Sequence, residues 1–290
     1  MADAAGLLTT LLPRCTFPPA STAVTCAFSG GADSTALLAL AQHAGCEVTA
    51  VHVDHGLRPS SRSESDQAAA NAELLGVPFE SIEVHVEPGP NLEARARTAR
   101  FAVLPSDVLT GHTADDQAET VLINLLRGAG TDGLAGMEPG PTKPLLGIRR
   151  AETVTICDAV GLTVVTDPSN VDPRFVRNRI RAEVLPLLDD IAGRDVAVLL
   201  ARTADVLRDD GAVLDRLASL IDPADAKAVA AAEPALARRA LRAWLTRDGY
   251  PPDLATVNRV LDVARGANRA CEIGNGRRVE RQHQLLRIVD

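Results

Sequence analysis

A chain of 290 residues is long enough for two domains, each with its own core. Its 46% hydrophobic and 23% charged residues exclude a disordered polypeptide, and no apolar run approaches the ~18 residues of a membrane span. The net charge of −8 argues against a uniformly basic nucleic-acid surface, and the 2% aromatic content against a platform that stacks many splayed bases.

The N-terminus carries no basic segment ahead of an apolar run, so no secretory signal is expected. Cys15, Cys26, Cys46, Cys157 and Cys271 form an odd, scattered set without a C-x-x-C pair. They indicate a reducing, cytoplasmic setting rather than a disulfide framework or a cysteine zinc site. Basic residues are concentrated locally. Residues 91–104 hold three arginines and one acid, and residues 147–181 hold six arginines and four acids.

Residues 1–20 read as a short helix and a proline-containing approach to a first strand. That strand, beginning at Val24, is a short apolar run with β-branched residues, and it leads into Ser29-Gly30-Gly31-Ala32-Asp33-Ser34. The glycines permit a tight turn and close approach of backbone amides to a ligand. The following Thr-Ala-Leu-Leu-Ala-Leu is strongly helix-forming. Strand, glycine turn and helix N-terminus together direct free N–H groups and the positive end of a helix dipole at an anion, typically phosphate. The loop is not a Walker A motif: the only lysines are Lys143 and Lys227, far from it. An ordinary glycine turn in a core is the bland alternative, and it leaves the flanking serines and Asp33 unexplained.

A second buried strand is expected over 47–53, ending near Asp54-His55-Gly56-Leu57-Arg58. Helix over 64–75, strand over 79–86, helix over 91–103 and a short strand over 108–111 follow. The alternation predicts an α/β fold with a Rossmann-like, doubly wound parallel sheet. A helix over 112–127 would bring His112, Asp116 and Glu119 to one face with Asp115 nearby, directly after a strand and facing the ligand crevice. A solvated acidic helix start accounts for the carboxylates but not for the histidine.

Residues 127–136 read as a flexible, glycine-rich connector able to close over a site. A helix over 150–160, a fifth strand near 162–166 and a turn at Asp167-Pro-Ser-Asn170 come next. In a helix, Arg174, Arg177, Asn178 and Arg181 share a face suited to phosphate. Composition shifts after Pro186, which we take as the boundary between a catalytic domain, residues 1–186, and a smaller, mainly helical C-terminal domain, residues 187–290. The latter is expected to hold one long helix over 187–220, further helices over 224–248 and 255–264, and two tail strands with turns near Gly274-Asn-Gly276 and His283-Gln284.

The loop Ser29–Ser34 resembles the pyrophosphate-binding loop of the PP-loop ATP pyrophosphatases. With His52-Val-Asp-His55, Asn91-Leu-Glu93-Ala-Arg95-Ala-Arg97, Gly111-His112-Thr-Ala-Asp115-Asp116-Gln-Ala-Glu119, Arg127-Gly128 and Arg177-Asn178-Arg179-Ile-Arg181 in order, residues 22–186 resemble the bacterial tRNA(Ile)-lysidine synthetases. The resemblance implies a ligase that uses ATP to adenylate C2 of the wobble cytidine in a CAU-anticodon isoleucine tRNA. Free L-lysine then displaces AMP. It implies ATP contacts at Ser29, Gly30, Gly31, Ala32, Asp33, Ser34, His52, Arg97 and Gly111, and Mg²⁺ at Asp33.

Asp116 and Glu119 would receive the lysine ammonium. Arg174, Arg177, Asn178 and Arg181 would face substrate phosphate, and either Asp115 or His112 would act as base. Many members carry a further C-terminal domain, which this chain is expected to lack, and a homodimer is an assembly the resemblance allows. Three other readings fit the residues less well: tRNA thiolation, for which the cysteines offer no paired motif, an amidotransferase-coupled synthetase, which needs an ammonia-supplying domain, and a non-catalytic ATP sensor, which has no need of the acidic and arginine helices.

Overall fold

A computed structural model describes residues 4–54, 61–85, 89, 92–165, 172–246 and 251–289. Among these residues the chain forms two compact units, Met1–Asp205 and Val206–Asp290. The division falls later than Pro186.

In the first unit, helix α1 (Ala4–Leu11) precedes strand β1 (Ala23–Ala27), helix α2 (Ala32–His43) and strand β2 (Glu47–Asp54). Helix α3 (Ser61–Leu74), strand β3 (Phe79–Glu83) and helix α4 (Leu92–Val103) follow. The three strands pair in parallel in the order β1-β2-β3, with Ala23 opposite Glu47 and Ala50 opposite Phe79. The strand expected over 108–111 contracts to one parallel bridge, Leu109 to Cys26, on the other side of β1. Ala27 N–H donates to Leu109 O at 2.9 Å and Leu109 N–H to Thr25 O at 2.8 Å. The chain order reverses beside β1, so the loop after β1 lies at the crevice where open parallel sheets receive ligands.

Helix α2 is buried around most of its circumference: Ala36, Leu37, Leu38, Leu40 and Ala41 are inaccessible. An all-round apolar helix requires cover on every side. It packs with β1, β2, α1 and α7 (Arg150–Ala159), and the core joins Leu8, Val24, Cys26, Val48, Leu145, Ile148 and Ile156. No fifth strand forms over the described residues 162–165. Val165 N–H instead donates to Gly30 O at 2.9 Å, so this segment backs the glycine loop rather than extending the sheet. The ends of two expected elements and the 167–170 turn lie outside the described residues, as do His55–Arg58 and Asn91.

Helix α5 (Ala114–Leu126) carries the 127–136 connector close against itself. The connector contains a short helix, α6 (Thr131–Leu134). Asn124 Nδ2 donates to Gly133 O at 2.7 Å, and the Gln117 side chain exchanges hydrogen bonds with the Met137 backbone at 2.8 and 2.9 Å. The segment is therefore tied down, not free as expected.

Residues 174–181 do not form one helix. Helix α8 (Val176–Arg179) opens into a π turn over Ile180–Val184 before α9 (Leu185–Ala192). Pro186 has no N–H to continue the ladder, which is where such a widened turn arises. The long helix expected over 187–220 is broken at Gly193, which caps α9 in the left-handed conformation, before α10 (Val196–Ala218).

The second unit contains α11 (Ala226–Ala231), α12 (Pro234–Leu245) and α13 (Leu254–Arg265). The tail forms three antiparallel strands, not two: β4 (Ala270–Gly274), β5 (Arg277–Gln282) and β6 (Leu285–Val289). Both expected turns are present, at Asn275-Gly276 and at His283-Gln284, and each uses two residues of positive φ. Val229, Leu241, Val260, Leu261, Val279 and Leu286 form this unit's core.

Candidate active site

The loop after β1 is built as its sequence implies. Gly30 has φ +78°, and a Cβ there would lie 2.9 Å from Val165 Cγ2, so only glycine fits. Ser34 Oγ accepts from Ser29 N–H at 3.2 Å, lies 3.1 Å from Ser29 Oγ and donates to Gly31 O at 3.0 Å. These bonds fold the loop over the start of α2. Gly31, the N-cap of α2, offers no side chain to the first-turn amides, which leaves them for an anion. Gly111 has a different reason to be glycine. A Cβ there would approach Asp33 O to 2.7 Å and Ser34 N to 3.1 Å, so the strand end at Leu109 and the start of α2 touch backbone to backbone.

His52 is buried, and its Nδ1 donates to Phe28 O at 2.9 Å, with its ring beside Phe79. In this position it fixes the entry to the loop. The Arg97 side chain lies outside the described atoms.

The second half of the site is a cluster of acids and arginines. Asp116, at the third position of α5, accepts from Thr113 N–H and Oγ1, both at 2.9 Å, and so caps its own helix. Glu119, one turn on, is fully buried. Asp115 accepts from Arg149 Nε and Nη2 at 2.9 and 3.0 Å and from Arg150 N–H at 2.7 Å. Its oxygens are fully engaged in anchoring the start of α7, and Arg149 also pairs with Asp195.

Arg150 is the centre of the arrangement. Its Nε donates to Asp33 Oδ2 at 3.2 Å, Nη1 to Glu119 Oε1 at 3.0 Å and Nη2 to Asp116 Oδ1 at 2.8 Å. One guanidinium thus joins the first turns of α2 and α5. Thr153, one turn along α7, adds an Oγ1–H donation to Asp33 Oδ1 at 2.6 Å. Arg181 reaches Glu119 through Nε at 2.7 Å and Nη2 at 3.2 Å, and Arg177 Nε stands 3.4 Å from Glu119 Oε2.

The electrostatics follow. Burial favours the neutral acid at Asp116, but Arg150, the Thr113 amide and hydroxyl and His112 outweigh it and hold the carboxyl below the usual range. Asp115 is likewise held low: burial opposes its charge, and the Arg149 side chain with the Arg150 amide prevails. Asp33 is the exception, because burial pushes it up and Arg150 and Thr153 only partly offset this.

Of the four residues expected on one phosphate-facing surface, the structure brings two to the cluster. Arg177 and Arg181 serve Glu119. Arg174 is exposed and pairs with Asp172, whose backbone oxygen also accepts from Asn178 Nδ2 at 3.0 Å. His112 Nδ1 lies 2.8 Å from Thr110 Oγ1, and the ring lines a cavity of about 440 Å³ with Phe101 and Lys143.

Sequence reasoning missed Arg149, Arg150 and Thr153. One signal was available: two arginines at the very start of a helical pattern sit against the positive end of the dipole, which requires carboxylates from elsewhere to hold them.

Residues 9–188 match the PP-loop domain family. The chain is 48% identical over 248 residues to a tRNA(Ile)-lysidine synthase of Nocardia farcinica, covering 80% of this chain and 78% of that one. It is 48% identical to the Mycolicibacterium paratuberculosis tRNA(Ile)-lysidine synthase, covering 77% and 74% of the two chains. The Mycobacterium tuberculosis tRNA(Ile)-lysidine synthase is 43% identical, with 76% and 74% covered. Among solved structures, the U34-tRNA thiolase NcsA of Methanococcus maripaludis matches with a TM-score of 0.52 at 17% identity, over 71% of this chain and 79% of that one, a likeness of fold. The chain belongs to the tRNA(Ile)-lysidine synthases, a family of carbon–nitrogen ligases built on the PP-loop domain.

Proposed function

We propose that this chain uses ATP to adenylate C2 of the wobble cytidine in a CAU-anticodon isoleucine tRNA and that free L-lysine then displaces AMP to form lysidine. The observation that carries this reading is the single guanidinium of Arg150 joining Asp33, at the nucleotide loop, to Asp116 and Glu119. Phosphate-binding and amine-binding ends meet within one side chain.

In this reading the first-turn amides of α2, with Ser29 and Ser34, hold the pyrophosphate as negative charge develops on it. Among the described residues no group of three or more His, Cys, Asp and Glu side chains is arranged to hold a metal ion. Asp33, in the first turn of α2, would hold Mg²⁺ once Arg150 releases its Oδ2, since Mg²⁺ is commonly held by one or two carboxylates plus phosphate oxygens. Bound there, Mg²⁺ supplies neutralisation of the phosphate charge.

Asp116 and Glu119 receive an ammonium group of lysine, whose side-chain amine is the nucleophile. A neutral analogue would leave these buried acceptors unmatched, which supports discrimination on the order of 10⁴-fold. The attacking amine must be neutral. Asp115 has its oxygens engaged by Arg149 and Arg150 and is held well ionised, so His112 is the better of the two bases considered. Arg177 and Arg181 hold Glu119 in place from the far side. Among the described residues no helix is long and apolar enough to cross a membrane, and the free cysteines fit a cytoplasmic setting.

The test is ATP-dependent transfer of labelled lysine to an isoleucine tRNA transcript bearing CAU, with a methionine CAU tRNA as control. Label on the first alone is expected. tRNA-stimulated pyrophosphate release without label would discard lysine as the nucleophile.

A further inference from the structure

Four carboxylates of the cluster, Asp33, Asp115, Asp116 and Glu119, are matched by four guanidinium groups, those of Arg149, Arg150, Arg177 and Arg181. A cation ligand therefore finds each of these acids already engaged by an arginine, and its arrival requires a guanidinium to leave. Arg149 is committed to Asp115 and Asp195, Arg177 to Glu119, and Arg181 to Glu119 with a longer 3.8 Å approach to Asp116. Arg150 alone touches both the loop carboxylate and the α5 pair.

Its side chain can depart without its helix. The first turn of α7 is held separately by Arg150 N–H on Asp115 at 2.7 Å, Arg149 N–H on Glu152 at 2.7 Å and Thr153 Oγ1 on Asp33 at 2.6 Å. When the guanidinium leaves, one acceptor opens on each of Asp33, Asp116 and Glu119. Asp116 keeps its Thr113 bonds and Glu119 its Arg181 pair, so the acids stay in position.

Resting on the reading above, we propose that Arg150 is a positioning residue that couples the two substrate ends: metal-bound nucleotide at Asp33 and the lysine ammonium at Asp116 and Glu119 displace the same guanidinium. The cost of moving it is met once. Each ligand then lowers what the other must spend, and by linkage the effect is equal in both directions. Until lysine arrives, the Arg150 guanidinium occupies the place of its ammonium between Asp116 and Glu119.

The experiment is a calorimetric titration of the full chain with L-lysine, without tRNA so that no adenylation occurs, in the presence and absence of saturating Mg·ATP. Wild type is expected to bind lysine about tenfold more tightly when Mg·ATP is present. Arg150→Met is expected to bind lysine with one affinity under both conditions, and more tightly than wild type in the absence of nucleotide. Arg150→Lys provides a second variant that retains the charge. A single ammonium cannot span three carboxylates, so its enhancement should fall below about threefold.

A general structural role would weaken binding under both conditions without changing their ratio. Lysine affinity in wild type that is indifferent to Mg·ATP overturns the coupling while leaving lysine as substrate. So does an unchanged tenfold enhancement in either variant. No lysine binding under either condition, with Mg·ATP binding intact, removes the lysine site itself and the coupling with it.

Discussion

Glu119 is the most exacting point in the cluster, because it is a fully buried carboxylate facing three arginines. Glu119→Gln keeps its size and removes its charge. Removing one member of a buried ion pair costs about 3–5 kcal/mol, since the remaining charge stays desolvated. Here Arg150, Arg181 and Arg177 are 23%, 30% and 39% exposed, so water recovers part of that loss. The lower end, about 3 kcal/mol, is the expectation. For a unit of this size it corresponds to a fall in Tm of about 6–12 °C. Thermal unfolding followed by circular dichroism reads it directly. Combining the change with Arg181→Met removes one of the stranded cations, so the double variant should be more stable than the two single losses added together, with a coupling of about 1–3 kcal/mol. A Glu119→Gln protein that melts with wild type, or a strictly additive double variant, would refute the assignment of this carboxylate as counter-charge to the arginines.

Glu119→Gln should also weaken lysine use about ten- to a hundredfold while leaving ATP binding nearly intact, as lysine-dependent labelling and nucleotide titration would measure. Asp33 has a carboxyl raised by burial, so the native state holds its proton more tightly than the unfolded chain does. Stability therefore falls as pH rises from the ordinary carboxylate value through the raised native one, and at neutral pH the ionised group is a net cost. Asp33→Asn should release no pyrophosphate yet melt higher than wild type at pH 7, and a lower Tm there contradicts the argument. Asp115 and Asp116 have the opposite sign: both are held low, so their contribution is complete above pH ~4 and is lost as pH falls through the native values. In acid titrations, Arg149→Met should unfold at higher pH than wild type. Gly111→Ala places a Cβ 2.7 Å from Asp33 O, and the resulting backbone shift should cost about 1–3 kcal/mol with a loss of pyrophosphate release.

Much of the sheet was legible because β1 and β2 read as apolar runs with β-branched residues, while the half-exposed β3 showed itself only by alternation. The loop was legible because Gly30 and the helix-forming run after Asp33 each leave a local mark. Asp116 and Glu119 were legible because three residues on a helix is one face. Arg150 was not, because its partners lie 117, 34 and 31 residues away in the chain and nothing local selects them. Arg174 and Asn178 were misplaced for a different reason. The helix begins only at Val176, so the face that Arg174 was assigned to does not exist at its position. The break at Gly193 was visible as a glycine inside a helical pattern, but only its left-handed backbone shows it to be a cap. The segment before Thr166 reads as a strand by composition, and the structure uses its amide to back the loop instead.

The assembly of this site from widely separated segments also has a consequence during synthesis. Chains emerge from the ribosome N-terminus first, at about 5–20 residues per second. The phosphate loop is complete once α2 has emerged, and the α5 carboxylates follow some 80 residues later. Arg150, Arg177 and Arg181 come later still. Until they appear, Glu119 has no guanidinium to be buried against, and a folded α5 would have to keep that carboxylate in water. Nucleotide binding competence and closure of the acidic pocket should therefore arise late and together, so a nascent chain halted near residue 140 would carry an intact loop motif without a finished site.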